Sequence, residues 1–152
     1  MTDNTVLIEN ARLIFRNFSG KEGQYNREGD RNFAVILDDK TAQNMVKDGW
    51  NVKFFEPREE GDTPDPYISV TVSFKNRPPR IVMITSSSRT NLDEDSVPVL
   101  DFAEIRTCDL IVNPYEWTVN GKSGIKAYLK SMFVTIEEDE LERKYSNQGE
   151  NE

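Results

Sequence analysis

The chain has 152 residues, one cysteine and no histidine, which together exclude disulfides within the chain, Cys/His zinc sites and histidine-based acid–base or triad chemistry. Its 36% hydrophobic content suits one folded domain, no apolar run nears the roughly 18 residues of a membrane span, and MTDNTVLIEN lacks the blocks of a signal peptide, so a soluble, unexported, cytoplasmic protein is expected. Of the formal net charge of −8, residues 137–152 (EEDELERKYSNQGENE) carry −5, leaving a body close to balance and an acidic terminus whose composition predicts disorder.

The dominant period along the chain is two. In VLIENARLIFRNF, residues 6–18, the odd positions Leu7, Ala11, Leu13 and Phe15 are mostly apolar, so a long strand is expected to turn Arg12, Arg16 and Phe18 to its less apolar face. The glycine-rich segment 19–30 follows as a loop that carries Lys21, Tyr25 and Arg27. NFAVIL, residues 32–37, is apolar on both faces and predicts a central strand.

The one clear helix signal is DKTAQNMVKDG. Asp38 or Asp39 caps it, Ala42, Met45 and Val46 form its apolar stripe, and Gly49 stands where a left-handed cap belongs. WNVKFFE then alternates Trp50, Val52 and Phe54 against Asn51, Lys53 and Phe55, before the solvated loop PREEGDTPDP. YISVTVSF is the cleanest strand, with Ile68, Val70, Val72 and Phe74 on one face and Tyr67, Ser69, Thr71 and Ser73 on the other.

KNRPP, with Lys75, Arg77 and Arg80 in or beside it, turns the chain into RIVMITS. SSRTNLDEDSVP is expected as a long loop, and VLDFAEIR as a short strand or helical turn. CDLIVNPYEWTV and GIKAYLKSMFVTI predict two strands joined at Asn120-Gly121, a hairpin signal, with Pro114 demanding an edge or bulge. Cys108, at the mouth of an apolar run with no histidine to activate it, fits a half-buried strand position. Six or seven strands, one short inserted helix and long loops predict a mainly β protein, an OB-fold-like antiparallel barrel, over residues 1–137, followed by the acidic tail 138–152.

The chemistry lies on the strand faces. Ile125, Ala127 and Leu129 point to the core, leaving Lys126, Tyr128 and Lys130 on the opposite face of the last strand. A ring flanked by two ammonium groups is a stacking platform with phosphate partners, the combination that binds single-stranded nucleic acid of any sequence. Arg12, Arg16 and Phe18, Lys53 and Phe55, Tyr67, and Tyr115 with Trp117 repeat the pairing, and Tyr25, Arg27, Arg77, Arg80 and Lys122 add loop contacts. The acidic excess does not oppose such binding, since a local basic groove is screened from a distant tail over a Debye length of about 8 Å.

The segments 32–53 (NFAVILDDKTAQNMVKDGWNVK) and 113–137 (NPYEWTVNGKSGIKAYLKSMFVTIE) resemble those of small phage-encoded single-stranded-DNA-binding proteins, a likeness that extends over about residues 6–140. That resemblance implies an OB fold that coats strands exposed in phage DNA replication or recombination, in the host cytoplasm, with an acidic tail for polymerase, helicase or recombination partners. Tails of related proteins often end in an aromatic or apolar residue; here the end is Gly149, Glu150, Asn151 and Glu152, and Tyr145 is the nearest substitute. No cofactor, metal or catalytic residue is expected, and an exposed edge strand offers a route to a homodimer.

Two other classes compete. A metal-dependent nuclease would draw on Asp93, Glu94, Asp95, Asp101 and Glu104, because magnesium needs only carboxylates, yet an acidic loop beside Ser96 and Pro98 is the simpler account. A β-sandwich phage structural or assembly protein would share the period of two, but would not require Lys126, Tyr128 and Lys130 on one face. GKS at residues 121–123 is no phosphate loop, since Glu116 stands where its first glycine is needed.

Overall fold

The computed structural model describes residues 5–24, 26–55, 61, 65–75 and 77–137. Among these residues nine strands and one α-helix follow in the order β1 (Val6–Ile8), β2 (Arg12–Asn17), β3 (Arg31–Ile36), α1 (Asp39–Lys47), β4 (Val52–Phe54), β5 (Pro66–Val72), β6 (Arg80–Ile84), β7 (Arg89–Leu92), β8 (Ile105–Val119) and β9 (Lys122–Ile136). The main path through the sheet is β1-β8-β9-β5-β3-β2, with β4 on β5 and the β6–β7 pair on β9. The path begins and ends on neighbouring stretches of one segment, β1 and β2, so the sheet curls on itself without closing its ladder. This curled, mainly β arrangement with one inserted helix is consistent with an OB-like fold. It is mixed and not wholly antiparallel, because β9 runs parallel to both β5 and β6.

The spine is the β8–β9 hairpin, fifteen residues on each arm. Asn120 and Gly121 both take positive φ, 51° and 78°, which gives the two-residue turn whose twist matches the strands it joins. Val119 therefore faces Lys122, and register is fixed outward from that pair. Pro114 sits beyond Val112, the last residue of β8 paired to β1, where the missing N–H falls on a free edge.

The core follows the inward residues: Phe33 and Val35, Ile68, Val70 and Val72, Leu110 and Val112, Ala127, Leu129, Met132 and Val134. α1 closes one end. The Asp38 carboxylate accepts from the Thr41 N–H at 2.7 Å, which caps the helix and holds the carboxyl below its ordinary range. Ala42 and Met45 are buried while Val46 is exposed, so the apolar stripe is narrower than the sequence predicts. Gly49, at φ 95°, leads into the buried Trp50.

The expected first strand is broken twice. Asn10, at φ 51°, separates β1 from β2 and shifts the parity, so Ile8 points inward and Leu7 outward. A second irregularity inserts one extra residue in β2 between Ile14, opposite Ala34, and Asn17, opposite Asn32. Phe15 takes φ 51° inside this bulge, a left-handed conformation that costs a non-glycine residue roughly 1–2 kcal/mol.

The extra residue reverses every side chain after it. Phe18, expected outward, is fully buried and stacked on Phe33 with centroids 5.1 Å apart. Two further differences are local: residues 89–92, expected as loop, pair with β6, and residues 97–101 form a 3₁₀ turn. PREEGDTPDP falls largely, and the acidic tail 138–152 wholly, outside the described residues.

Cys108 is completely buried on β8. Burial first, and then the neighbouring Asp109 carboxylate, push its thiol up to about 12, so the native protein holds it protonated at neutral pH. Iodoacetamide at pH 7 should leave Cys108 unlabelled in the native protein and modify it after denaturation; labelling at comparable rates in both states would contradict this packing.

Candidate nucleic-acid interface

The outward face of the hairpin is built by register. Asn113 lies opposite Tyr128, Tyr115 opposite Lys126, Trp117 opposite Gly124 and Val119 opposite Lys122, and directly opposed residues share a face. Tyr115 and Tyr128 meet edge to face at 5.5 Å, and the Lys126 ammonium stands 5.5 Å from the Tyr128 centroid. Tyr115 is 56% exposed and Tyr128 half-buried, so both rings reach the surface and Tyr115 is the more open of the two.

Gly124 is needed where it is. A Cβ there would lie 2.8 Å from Cζ2 of Trp117 and would also meet Oδ1 of Asn51, so the bare backbone is what lets the indole lie across β9. Lys130 enters a bulge: Leu129 faces Val112 and Ser131 faces Ile111, leaving Lys130 exposed and without a partner on β8.

At the same place β9 changes neighbours, from β5 at Ala127 and Tyr128 to β6 from Ser131 onward. The gap opens a trough of about 680 Å³ whose lining includes Thr71, Phe74, Lys75, Lys126 and Tyr128. At its far wall the Arg31 guanidinium lies 5.6 Å from the Phe74 centroid, with Nη1 3.3 Å from Oε1 of Glu94. Arg77 is exposed on the connection above, and Arg80 lies over Phe133 at 5.5 Å.

β5 extends the face. Thr71 neighbours Tyr128, and four residues earlier Tyr67 neighbours Lys53 on one side and Ile36, then Arg12, on the other. Phe55 stacks on Tyr67 with centroids 4.4 Å apart and planes at 28°, and Phe15 meets both rings at 5.8 and 6.1 Å. From strand rise and spacing, the Tyr67 and Tyr128 positions are about 14 Å apart, so the two aromatic groups lie along one surface.

The structure thus gathers Tyr115, Trp117, Lys122, Lys126, Tyr128 and Lys130 on or beside the hairpin face, and Arg12, Lys53, Phe55 and Tyr67 on its continuation. Arg27 is exposed next to residues 28–30, which form a wall of the trough. Tyr25 lies outside the described residues. Two expected contacts are corrected. Phe18 is core, and Arg16 is half-buried with Nη1 donating to the carbonyls of Leu100 and Ala103 at 2.9 and 2.6 Å, which leaves it a structural clamp.

Phe15, Phe74 and Phe102 are aromatics of this surface that the period of two assigns elsewhere or leaves in loops. Among the described residues, the cations of the face make no ion pair other than Arg31–Glu94. The acidic loop lacks a metal geometry: Asp93 accepts from Ser96 and Asp95, which hold its carboxyl low, Asp101 accepts from the backbone of Phe18 and Ser19, and no group of three metal-ligating side chains occurs among the described residues.

The family model described as "Putative phage ssDNA-binding domain" matches residues 2–152. No curated protein matches the chain. Among solved structures, the single-stranded DNA-binding protein from bacteriophage Enc34 in complex with ssDNA shares the fold at TM-score 0.59 and 11% identity, covering 89% of this chain and 88% of that one. A second structure of the single-stranded DNA-binding protein from bacteriophage Enc34 gives TM-score 0.56 at 11% identity, over 89% of this chain and 82% of that one.

Proposed function

The chain belongs to the phage single-stranded-DNA-binding domain family, and on that premise we propose that it coats exposed strands without regard to sequence, through the outward face of the β8–β9 hairpin and its continuation onto β5. The observation that carries this reading is the row Tyr115, Trp117, Lys126 and Tyr128 on one face of the hairpin, with Val112, Ala127 and Leu129 turned to the core on the other. Bases stack on the open rings, each worth roughly 1–3 kcal/mol, while ammonium and guanidinium groups take the phosphates. Lys126, parked over Tyr128 in the free protein, is placed to swing to a phosphate as a base takes the ring face.

Protein partners and the tail belong to the same proposal. Residues 138–152, acidic and polar, contact replication or recombination proteins in the host cytoplasm and compete with DNA for the exposed lysines and arginines of the face when salt is low. Among the described residues no helix is long and apolar enough to cross a membrane.

The test is a fluorescence titration of a labelled dT oligomer across a salt series, beside a duplex of equal length. Tight single-strand binding that weakens steeply with salt, with poor duplex binding, supports the reading; equal affinity for both would reduce it to a generic basic surface. In the same assay, removal of residues 138–152 should leave affinity unchanged at high salt and raise it at low salt. Weaker binding after the deletion would make the tail part of the site.

A further inference from the structure

Phe15 combines two unfavourable features at one position. Its backbone is left-handed at φ 51°, and its ring is 64% exposed although an inward-facing core position was available to it by parity. Such a conformation persists only where the surroundings hold it, and a strained, exposed aromatic is a reason to look for a ligand.

The surroundings do hold it. Arg16, the next residue, ties the bulge to the carbonyls of Leu100 and Ala103, and the Asp101 carboxylate accepts from the N–H groups of Phe18 at 2.6 Å and Ser19 at 3.1 Å. This double clamp fastens the β2 bulge to the 3₁₀ turn at Val97–Asp101. Immediately after that turn comes Phe102, 77% exposed, with the Lys21 ammonium 5.2 Å from its ring centroid. Phe15 and Phe102 line one open slot of about 370 Å³, together with Asn17, Lys21, Asn26 and Asp101. On its other side Phe15 touches Phe55 and Tyr67, the end of the surface described above.

We propose that the slot between Phe15 and Phe102 is a further nucleobase site, in which the bound strand continues past Tyr67, stacks a base at these two phenylalanines and sets a phosphate on Lys21. The proposal rests on the single-strand reading and lengthens its path. The Asn17 and Asn26 amides are spent on loop backbone and Arg16 and Asp101 on the clamp, while Glu22 lines the slot at its exposed rim, so stacking on the ring faces is what the slot offers a base. Arg16 and Asp101 act as positioning residues that keep Phe15 turned out.

The experiment compares Phe102→Ala, Lys21→Gln and Tyr115→Ala in titrations with dT oligomers of about 6 and about 16 nucleotides, within the range an OB fold occupies. Phe102→Ala removes an exposed ring that supports no core, and circular dichroism checks that each variant is folded. The expected result is that Phe102→Ala weakens the longer oligomer by roughly 5- to 140-fold and the shorter one much less. Lys21→Gln should make the salt slope shallower by about 0.7 on the longer oligomer only. If Phe102→Ala and Lys21→Gln bind both lengths like the parent while Tyr115→Ala weakens both, the slot is overturned and the hairpin reading stands. If Tyr115→Ala is also without effect, the hairpin reading and the slot fall together.

Discussion

Replacing Tyr115 and Tyr128 together by alanine is expected to weaken dT binding by at least about 25-fold, two stacked bases at the low end of roughly 1–3 kcal/mol each. The two rings form one edge-to-face pair at 5.5 Å, on the side of the hairpin away from the core. Thermal stability should therefore move little, since the inward residues Ala127, Leu129 and Val112 are untouched. Affinity from fluorescence titration and melting temperature from circular dichroism separate the two effects. A large fall in melting temperature with unchanged affinity in the folded fraction would show that the tyrosines are packing elements only.

The second large effect concerns salt. Lys126 and Lys130 are both exposed, one opposite Tyr115 and one in the bulge where β9 leaves β5 for β6. Each phosphate neutralised on a single strand contributes about 0.7 to the slope of log Kobs against log salt. Changing both lysines to glutamine should make that slope shallower by about 1.4, with the loss of affinity greatest at low salt and nearly absent at high salt. Stacking on Tyr115 and the remaining cations of the face persist in this variant, so residual binding with a shallower salt dependence is part of the expected result. An unchanged slope would remove these two ammonium groups from the phosphate path.

How much of this surface was legible in the sequence depends on how far each signal is local. The β8–β9 hairpin was readable because Asn120-Gly121 demands one turn geometry and the alternation on either side is long enough to fix the faces. α1 was readable from Asp38 and Gly49, residues whose capping chemistry acts within a turn. What failed turns on single-residue insertions. One extra residue in β2 carries Phe18 from the expected outer face into the core and delivers Phe15 to the surface in its place. Nothing in RLIFRNF announces it, because the anchors that hold the bulge, Leu100, Asp101 and Ala103, are more than 80 residues away.

The same holds for Arg16, whose guanidinium is taken by two distant carbonyls that only the tertiary fold supplies. β7 escaped notice because RTNL is a polar edge strand with no apolar alternation to betray it. Phe74, on the apolar face in the pattern of β5, follows the end of that strand at Val72; it packs against the core as that pattern predicts and also lies beneath Arg31. The role of Gly124 becomes visible only once Trp117 is known to lie opposite it.

The central claim is that a single strand lies along the outward hairpin face and on toward Tyr67. Ultraviolet cross-linking of a dT oligomer carrying 5-iodouracil at successive positions, with the adducts mapped by mass spectrometry, tests it most directly. Adducts on Tyr115, Trp117 or Tyr128 and, from other positions of the same oligomer, on Tyr67 or Phe55 are the predicted result. Adducts confined to residues off this path, such as Val46 on α1, would contradict it.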